Sequence, residues 1–179
     1  MGEYPIRVCR PDDLPAVRAL LLQLVEVAEP AYDLQIDVMA GMFREMAALP
    51  DLYQNWVAEA GGEVAGFVSV VFYKTLFHRV GTALINELVV SRDLRGRGIG
   101  QALIRTVIDE ARARGMDEVE VGTEQSNAAA RRFYQRRGFE LAGLRRGAIN
   151  ETRRRKPGIP RVAANGIPIR DEIELAMRL

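Results

Sequence analysis

Two stretches in the first 50 residues repeat apolar side chains at helical spacing. The stretches are 14–28 and 34–48, and each predicts an amphipathic helix. A short apolar segment over 4–9 precedes them and predicts a strand. Asp12 or Asp13 is expected to cap the first helix through its side-chain oxygen. The chain therefore begins as a strand followed by two helices.

From residue 53 the apolar pattern changes to the period of a strand. The segments 53–60 and 63–73 alternate around Gly61 and Gly62, which predicts a hairpin with a two-glycine turn. The segment 83–90 is mostly apolar, and we expect it to be a strand buried on both faces.

Shorter elements alternate through the rest of the chain. The patterns predict a helix from Ile99 to near Gly115, a strand over 117–124, a helix over 126–138, and strands over 139–144 and 171–179. Ser126 or Asn127 is expected to cap the second of these helices. This order indicates an α/β fold with one mixed sheet, in a single domain spanning 1–179.

The segment 145–170 shows no sustained periodicity and is rich in arginine, glycine and proline. It carries eight basic residues against one acid, Glu151, so we predict a long basic loop before the last strand. A solvated mobile loop, a lid or patch for an anionic substrate, and a nucleic-acid contact are the three interpretations. The absence of interleaved aromatic residues disfavours the last.

Composition narrows the class of protein. The 179 residues are 48% hydrophobic and 27% charged, with a net charge of +1, which is typical of a soluble globular protein and gives no overall attraction to nucleic acid or an anionic membrane. No apolar run is long enough to span a bilayer and no signal-peptide pattern begins the chain, so we expect a cytoplasmic protein. The single Cys9 and single His78 argue against a disulfide, a metal site and a histidine-based nucleophilic triad.

The candidate chemistry begins with an arginine- and glycine-rich segment, RGRGIG, at 95–100. Neither Lys-Ser nor Lys-Thr follows the glycines, which excludes a nucleotide triphosphate loop, and Gln101 stands where a dinucleotide fingerprint needs its third glycine. Three glycines let the backbone turn its N–H groups toward an anion at the start of the helix, and Arg95 and Arg97 add positive charge.

The spacing Arg95-x-x-Gly98-x-Gly100 resembles the pyrophosphate-binding signature of the GCN5-related N-acetyltransferases, the GNAT superfamily. NELVV before it, SNAAARRFYQRRGFE after it and IELAMRL near the end occur in that family's order, so the resemblance covers 1–144 and 171–179. It implies a mixed, mostly antiparallel sheet of about seven strands, splayed at the centre and flanked by about four helices.

The resemblance also implies an activity and a cosubstrate. The chain would transfer the acetyl group of acetyl-CoA to a primary amine of a small molecule or peptide, by direct attack in a ternary complex and without a metal. A non-catalytic acyl-CoA-binding or interaction module on the same fold is the alternative. A homodimer is left open, and no membrane partner is expected.

Individual site residues follow from the resemblance by position. The pantetheine would lie along the splayed strand at Leu88 and Val90, with the Val90 N–H polarising the thioester carbonyl. Tyr134 would protonate the departing thiolate, and Asn127 would contact the pantetheine arm, serve as a helix cap, or do both. The implied cofactor-binding residues are Leu88, Val89, Val90, Arg95, Gly96, Arg97, Gly98, Ile99, Gly100, Gln101, Asn127 and Tyr134.

The general base is less well defined. Glu87 is the leading candidate, because a carboxylate in an apolar strand is costly unless it faces a cavity or a partner. Some family members place a glutamate at the position of Gly122 here, so this chain departs from them, and Glu120, Glu124 or a water relay stay open. The acceptor would lie against the first two helices, where the residues Tyr32, Met39, Met42, Phe43 and Met46 are either core or binding surface.

Overall fold

The computed structural model describes residues 4–24, 34–76, 81–155 and 158–179. By their contacts, these residues form two compact units, the first with 4–24, 34–119 and Leu179, and the second with 120–178. The first unit contains β1 (Ile6–Val8), α1 (Leu14–Leu22), α2 (Ile36–Ala47), β2 (Tyr53–Ala60), β3 (Glu63–Tyr73), β4 (Thr82–Val90), α3 (Ile99–Ala113) and the start of β5 (Glu118–Glu124). The second contains the rest of β5, then α4 (Ala128–Gln135), β6 (Glu140–Arg145), α5 (Ala148–Arg155) and β7 (Glu172–Arg178).

Antiparallel pairing in chain order builds the first unit. β1 pairs with β2, β2 with β3, and β3 with β4. Gly61 and Gly62 join β2 to β3 with φ angles of +63° and +86°. Two consecutive positive φ values match the type I′ turn that suits the twist of a hairpin, so the predicted hairpin is confirmed.

Helices cover both faces of this antiparallel sheet. On one face, Phe67 and Val89 pack with Val17 and Leu20 of α1 in a buried cluster. On the other face α3 lies close to β3. A Cβ built on Gly66 would come within 2.9 Å of the Ile99 side chain, which shows how near the helix is. Glycine at this position allows the close approach of helix and strand.

The second unit is built around β5, β7 and β6, in that order. β6 and β7 are antiparallel. The aromatic rings of Tyr134 and Phe139 meet edge to face at 5.3 Å between centroids, and Phe139 and Leu175 are almost fully buried. This small core joins α4 to the β6–β7 pair.

The predicted α/β fold class is confirmed, with seven strands and five α-helices among the described residues. The fifth helix corrects the prediction of a long loop over 145–170, because Ala148–Arg155 forms α5. Its sequence, AINETRRR, has one deeply buried apolar residue, Ile149, so no apolar period marks it. That the whole chain is one domain stays a prediction.

The predicted cap of α1 is also wrong. Asp13 lies at the N-cap position, but its side chain makes no cap hydrogen bond to α1. It accepts hydrogen bonds instead from the Arg7 guanidinium at 2.7 and 2.8 Å and from the Arg10 N–H at 2.7 Å. The charged hydrogen bonds from Arg7 on β1 therefore hold the Asp13 carboxylate away from the N–H groups of α1. The predictions for Tyr32 and His78 concern positions outside the described residues.

Candidate functional site

Near the end of β4, the backbone N–H and C=O groups of alternate residues point away from β3. Gly66 lies opposite Val90 in the register, while the Ser91 N–H donates to the Ala65 carbonyl at 2.8 Å. In an antiparallel ladder this geometry makes Gly66 and Val90 a pair that exchanges no hydrogen bonds of its own. The N–H and C=O groups of Val90, and those of Leu88 two residues earlier, therefore point away from β3.

A break in the β3–β4 register determines where Glu87 lies. Ser69 pairs with Glu87 but Val70 pairs with Ile85, so Asn86 is an extra residue in β4. Because cross-strand partners share a face, Glu87 lies on the Ser69 face of the sheet, together with Val89. This is the face that α1 covers, and Glu87 is half-buried there. Sequence alone gave no sign of the bulge.

Two of the three glycines after β4 have the predicted backbone conformation, whereas Gly100 lies in the first turn of α3 without a positive φ. Gly96 and Gly98 have φ angles of +77° and +97°, and Gly98 is the N-cap of α3. A Cβ built on either glycine would meet no heavy atom within 4 Å, so open space lies beside the turn. The N–H groups of Ile99, Gly100 and Gln101 open α3 with no acceptor among the described residues.

Positive charge surrounds this turn. Arg95, Gly96 and Arg97 are exposed, while Ile99 and Gly100 are buried and fix the first turn of α3 against the sheet. The residues 95–100, which we call the glycine loop, thus combine unsatisfied N–H donors, the positive end of a 15-residue helix and two guanidinium groups. Such a site suits a phosphate or pyrophosphate.

Two hydrogen bonds hold the glycine loop and the turn before it to their surroundings. The Arg95 Nε donates to the Val90 carbonyl at 3.2 Å, which ties the loop to the end of β4. The Arg92 N–H donates to the Gln23 side-chain oxygen at 3.0 Å, which ties the turn before the loop to the residue after α1. Sequence reasoning missed Gln23, because no pattern relates residues 69 positions apart.

In the second unit, Asn127 caps α4. Its Oδ1 accepts a hydrogen bond from the Ala130 N–H at 2.9 Å, so the predicted cap is confirmed. The residue is exposed. A contact between Asn127 and a pantetheine arm stays a prediction.

Tyr134 lies on α4 in an aromatic cluster. Its ring makes edge contacts with Phe133 and Phe139 at 5.1 and 5.3 Å, and the residue is 6% exposed. Burial raises the pKa of the phenol above its usual value, and the nearby positive charge of Arg137 opposes this only in part. Tyr134 is therefore a protonated phenol throughout the physiological range.

A carboxylate that the sequence did not indicate lies beside Gly122. The Glu172 Oε1, on β7, is 2.8 Å from where a Cβ of Gly122 would be. Glu172 also accepts a hydrogen bond from Arg145 at 3.2 Å. A neighbouring strand thus brings a carboxylate next to the position where this sequence lacks a glutamate. Glu120 and Glu124 are half-buried on β5 in the same unit.

The candidate acceptor surface on α2 is divided between core and solvent. Met39 and Phe43 pack against the buried cluster of the first unit, which makes them core residues. Met42 is 59% exposed, and Met46 is half-buried. Only the exposed side of this helix is therefore free to contact another molecule.

No group of three His, Cys, Asp or Glu side chains in 4–24, 34–76, 81–155 and 158–179 could hold a metal ion. No helix in those ranges is long and apolar enough to cross a membrane.

Comparison with known proteins identifies a common family. The model of the acetyltransferase (GNAT) family matches residues 18–139. N-acetyltransferase family 8 member 7 of Mus musculus is 30% identical over 136 residues, which are 73% of this chain and 59% of that protein. The chain matches about half the length of its curated relatives, between 44% and 59% of those compared.

Solved structures with the same fold align along nearly the whole chain. An IAA acetyltransferase from Bacillus cereus is 26% identical with a TM-score of 0.70, covering 99% of this chain and 100% of that one. An acetyltransferase from Bacillus subtilis, solved in complex with CoA, is 23% identical with a TM-score of 0.71, covering 99% of each chain. The second similarity is one of fold.

Proposed function

Since this chain belongs to the acetyltransferase (GNAT) family, we propose that it transfers the acetyl group of acetyl-CoA to a primary amine of a small molecule or peptide. The observation that carries the proposal is the glycine loop. The loop has two glycines with positive φ and exposed arginines, and it leads into the three N–H donors of Ile99, Gly100 and Gln101. It lies four residues after the end of β4, where the Val90 N–H points away from β3.

The glycine loop fits the pyrophosphate of CoA. A Cβ at Gly96 or Gly98 would project into the open space beside the turn, where phosphate oxygens would be within reach of the N–H groups of α3. Arg97 would neutralise charge as a solvent-facing cation. Arg95 would hold the loop to Val90 through its Nε, and the rest of its guanidinium would remain available for phosphate.

The backbone of β4 would orient the rest of the cosubstrate. Along the edge of β4 that faces away from β3, Leu88 presents its N–H and C=O and Val90 presents its N–H, and an extended molecule can pair with such groups as an added strand does. The pantetheine carries amide groups that can pair with such an edge. The Val90 N–H would then donate to the thioester carbonyl oxygen and stabilise the negative charge that develops on it.

Two side chains would move the protons. An amine must lose a proton to become the nucleophile, and Glu87 would accept it. Tyr134 would donate its phenolic proton to the departing thiolate, and its raised pKa keeps that proton in place until the thiolate forms. The amine would attack the acetyl carbonyl directly, with both substrates bound. Acetyl-CoA supplies the activated acetyl group.

The test is a screen of amines with acetyl-CoA, followed by release of the free CoA thiol. Polyamines, amino acids, aminoglycosides and peptides cover the main amine classes, and reactions without amine give the hydrolysis background. We expect amine-dependent thiol release with at least one class, and mass spectrometry of the product should show one added acetyl group. Binding of acetyl-CoA without release by any class would favour the alternative, a non-catalytic acyl-CoA-binding module.

A further inference from the structure

The strand β6 (Glu140–Arg145) forms one end of the strand order in the second unit, next to β7. Every residue of the strand except Gly143 is exposed. Its outer edge therefore presents backbone N–H and C=O groups to which another strand can pair.

Two leucines on this strand are exposed on the same face. Leu141 pairs with Leu175 and Leu144 with Ile173, because the register shifts between Leu141 and Gly143. Without the shift, residues three positions apart would lie on opposite faces. Leu141 and Leu144 are 61% and 55% exposed, beside partners on β7 that are buried. The bulge thus produces a small apolar patch at the edge of the sheet.

The sequence of β6, ELAGLR, is complementary to that of a second copy that runs in the opposite direction. In an antiparallel pair of two such strands, Glu140 of one copy lies opposite Arg145 of the other, and Leu141 lies opposite Leu144. The pattern therefore combines complementary charge with matched apolar residues around a two-fold axis. A self-complementary patch of this kind is what a symmetric dimer requires.

We propose that β6 is the interface of a homodimer in which the two copies of the strand pair antiparallel. The leucines of both copies would form one apolar cluster on one face of the joined sheet. Glu140 and Arg145 would form two ion pairs between the copies on the other face. The bulge interrupts only the centre of the strand, so Glu140 and Leu141 remain to pair with Leu144 and Arg145 of the second copy.

The dimer should be weak and sensitive to salt. A pair of six-residue strands falls short of the roughly 1,000 Å² that a stable specific interface buries. Arg145 also contacts Glu172 at 3.2 Å and Glu174 at 3.6 Å within its own chain, and these pairs compete for its charge. Ion pairs exposed to solvent weaken as salt is added.

The test uses two variants with complementary charge, Glu140→Arg and Arg145→Glu, in sedimentation velocity over a range of concentrations. We expect the unaltered chain to shift from monomer toward twice the monomer mass as its concentration rises. Each variant alone should stay a monomer, because like charges meet across the two-fold axis. An equimolar mixture of the two variants should form a dimer again, because each arginine then faces a glutamate.

The mixture separates loss of the interface from misfolding, since an unfolded variant cannot recover by mixing. The matched controls are Arg44→Glu and Glu45→Arg, two exposed charge reversals on α2, which should dimerise as the unaltered chain does. A monomeric unaltered chain at the highest concentration would overturn the proposal. Dimers that persist in both single variants, or a mixture that stays monomeric, would overturn it as well.

Discussion

Gly66 should not tolerate a methyl group, because α3 lies directly on it. A Cβ at this position would be 2.9 Å from Ile99 Cγ2 and 3.1 Å from Leu103 Cδ1. Carbon atoms in good contact are about 3.5–4.0 Å apart. Ile99 and Leu103 are 1% and 0% exposed, so neither side chain can turn away into solvent. The Val89 carbonyl oxygen, at 3.3 Å, limits movement on the remaining side.

The cost of Gly66→Ala follows from these contacts. Overpacking a well-filled core costs about 1–3 kcal/mol. Alanine recovers about 0.5–1 kcal/mol relative to glycine within a strand. The net loss in the free energy of unfolding should be about 1–2 kcal/mol. In a chain of this length such a loss lowers Tm by about 2–8 °C.

Differential scanning calorimetry measures this change directly. The control is Gly122→Ala, where the three nearest heavy atoms all belong to the flexible side chain of Glu172. We expect the control to stay within about 0.5 kcal/mol of the unaltered chain. A Gly66→Ala variant as stable as the unaltered chain would refute the close packing of α3 on β3.

Three other substitutions test the site and the first unit. Tyr134→Phe keeps the ring contacts, so its kcat should fall by about 100-fold or more while the KM for acetyl-CoA stays nearly unchanged; an unchanged kcat would remove Tyr134 from the reaction. Glu87→Gln should abolish the acidic limb of the kcat/KM profile, whereas Glu172→Gln should keep it, and the reverse result would make Glu172 the base. Asp13→Asn should destabilise the chain more at pH 7 than at pH 3 in urea unfolding. The hydrogen bonds from Arg7 hold the pKa of the Asp13 carboxyl below its usual range, so the stabilisation is present above the ordinary pKa of about 4 and disappears as pH falls; equal losses at both pH values would contradict this.

Local patterns predicted most elements of the fold. The alternation around Gly61 and Gly62 gave the hairpin, the apolar run gave β4, and the helical period gave α3 within two residues of its observed ends. These elements are encoded by nearest neighbours in sequence, which periodicity detects. The glycine loop was predictable for the same reason, since the positive φ angles at Gly96 and Gly98 favour glycine at those two positions.

The features that the sequence could not predict depend on distant contacts. α5 lacks an apolar period, yet the Gly147 N–H before it donates to the Asp171 side chain at 2.8 Å, and Arg153 donates to the carbonyls of Ile159, Pro160 and Ile169. Hydrogen bonds to partners up to 24 positions away therefore hold residues 148–155 of the predicted loop as a helix.

The candidate site residues also divide into those that local sequence predicts and those whose position depends on distant contacts. The sequence identified Glu87 but not the bulge at Asn86 that sets its face, because a bulge is a property of two paired strands. It also noted the missing carboxylate at Gly122 but could not show Glu172 beside it, since the two strands are far apart in sequence. Pairing between strands therefore determines both the face on which Glu87 lies and the position of Glu172 beside Gly122.

Binding of CoA through the glycine loop is tested most directly by calorimetric titration of the unaltered chain and two alanine variants. Gly98→Ala places a methyl group in the open space beside the turn. The control Gly62→Ala has a similar positive φ, +86° against +97°, and also meets no heavy atom within 4 Å, in the hairpin turn. We expect the unaltered chain and Gly62→Ala to bind CoA alike, and Gly98→Ala to bind at least about tenfold more weakly, a loss of about 1.4 kcal/mol. Equal affinity for all three proteins, or no binding by the unaltered chain, would contradict the assignment of the loop.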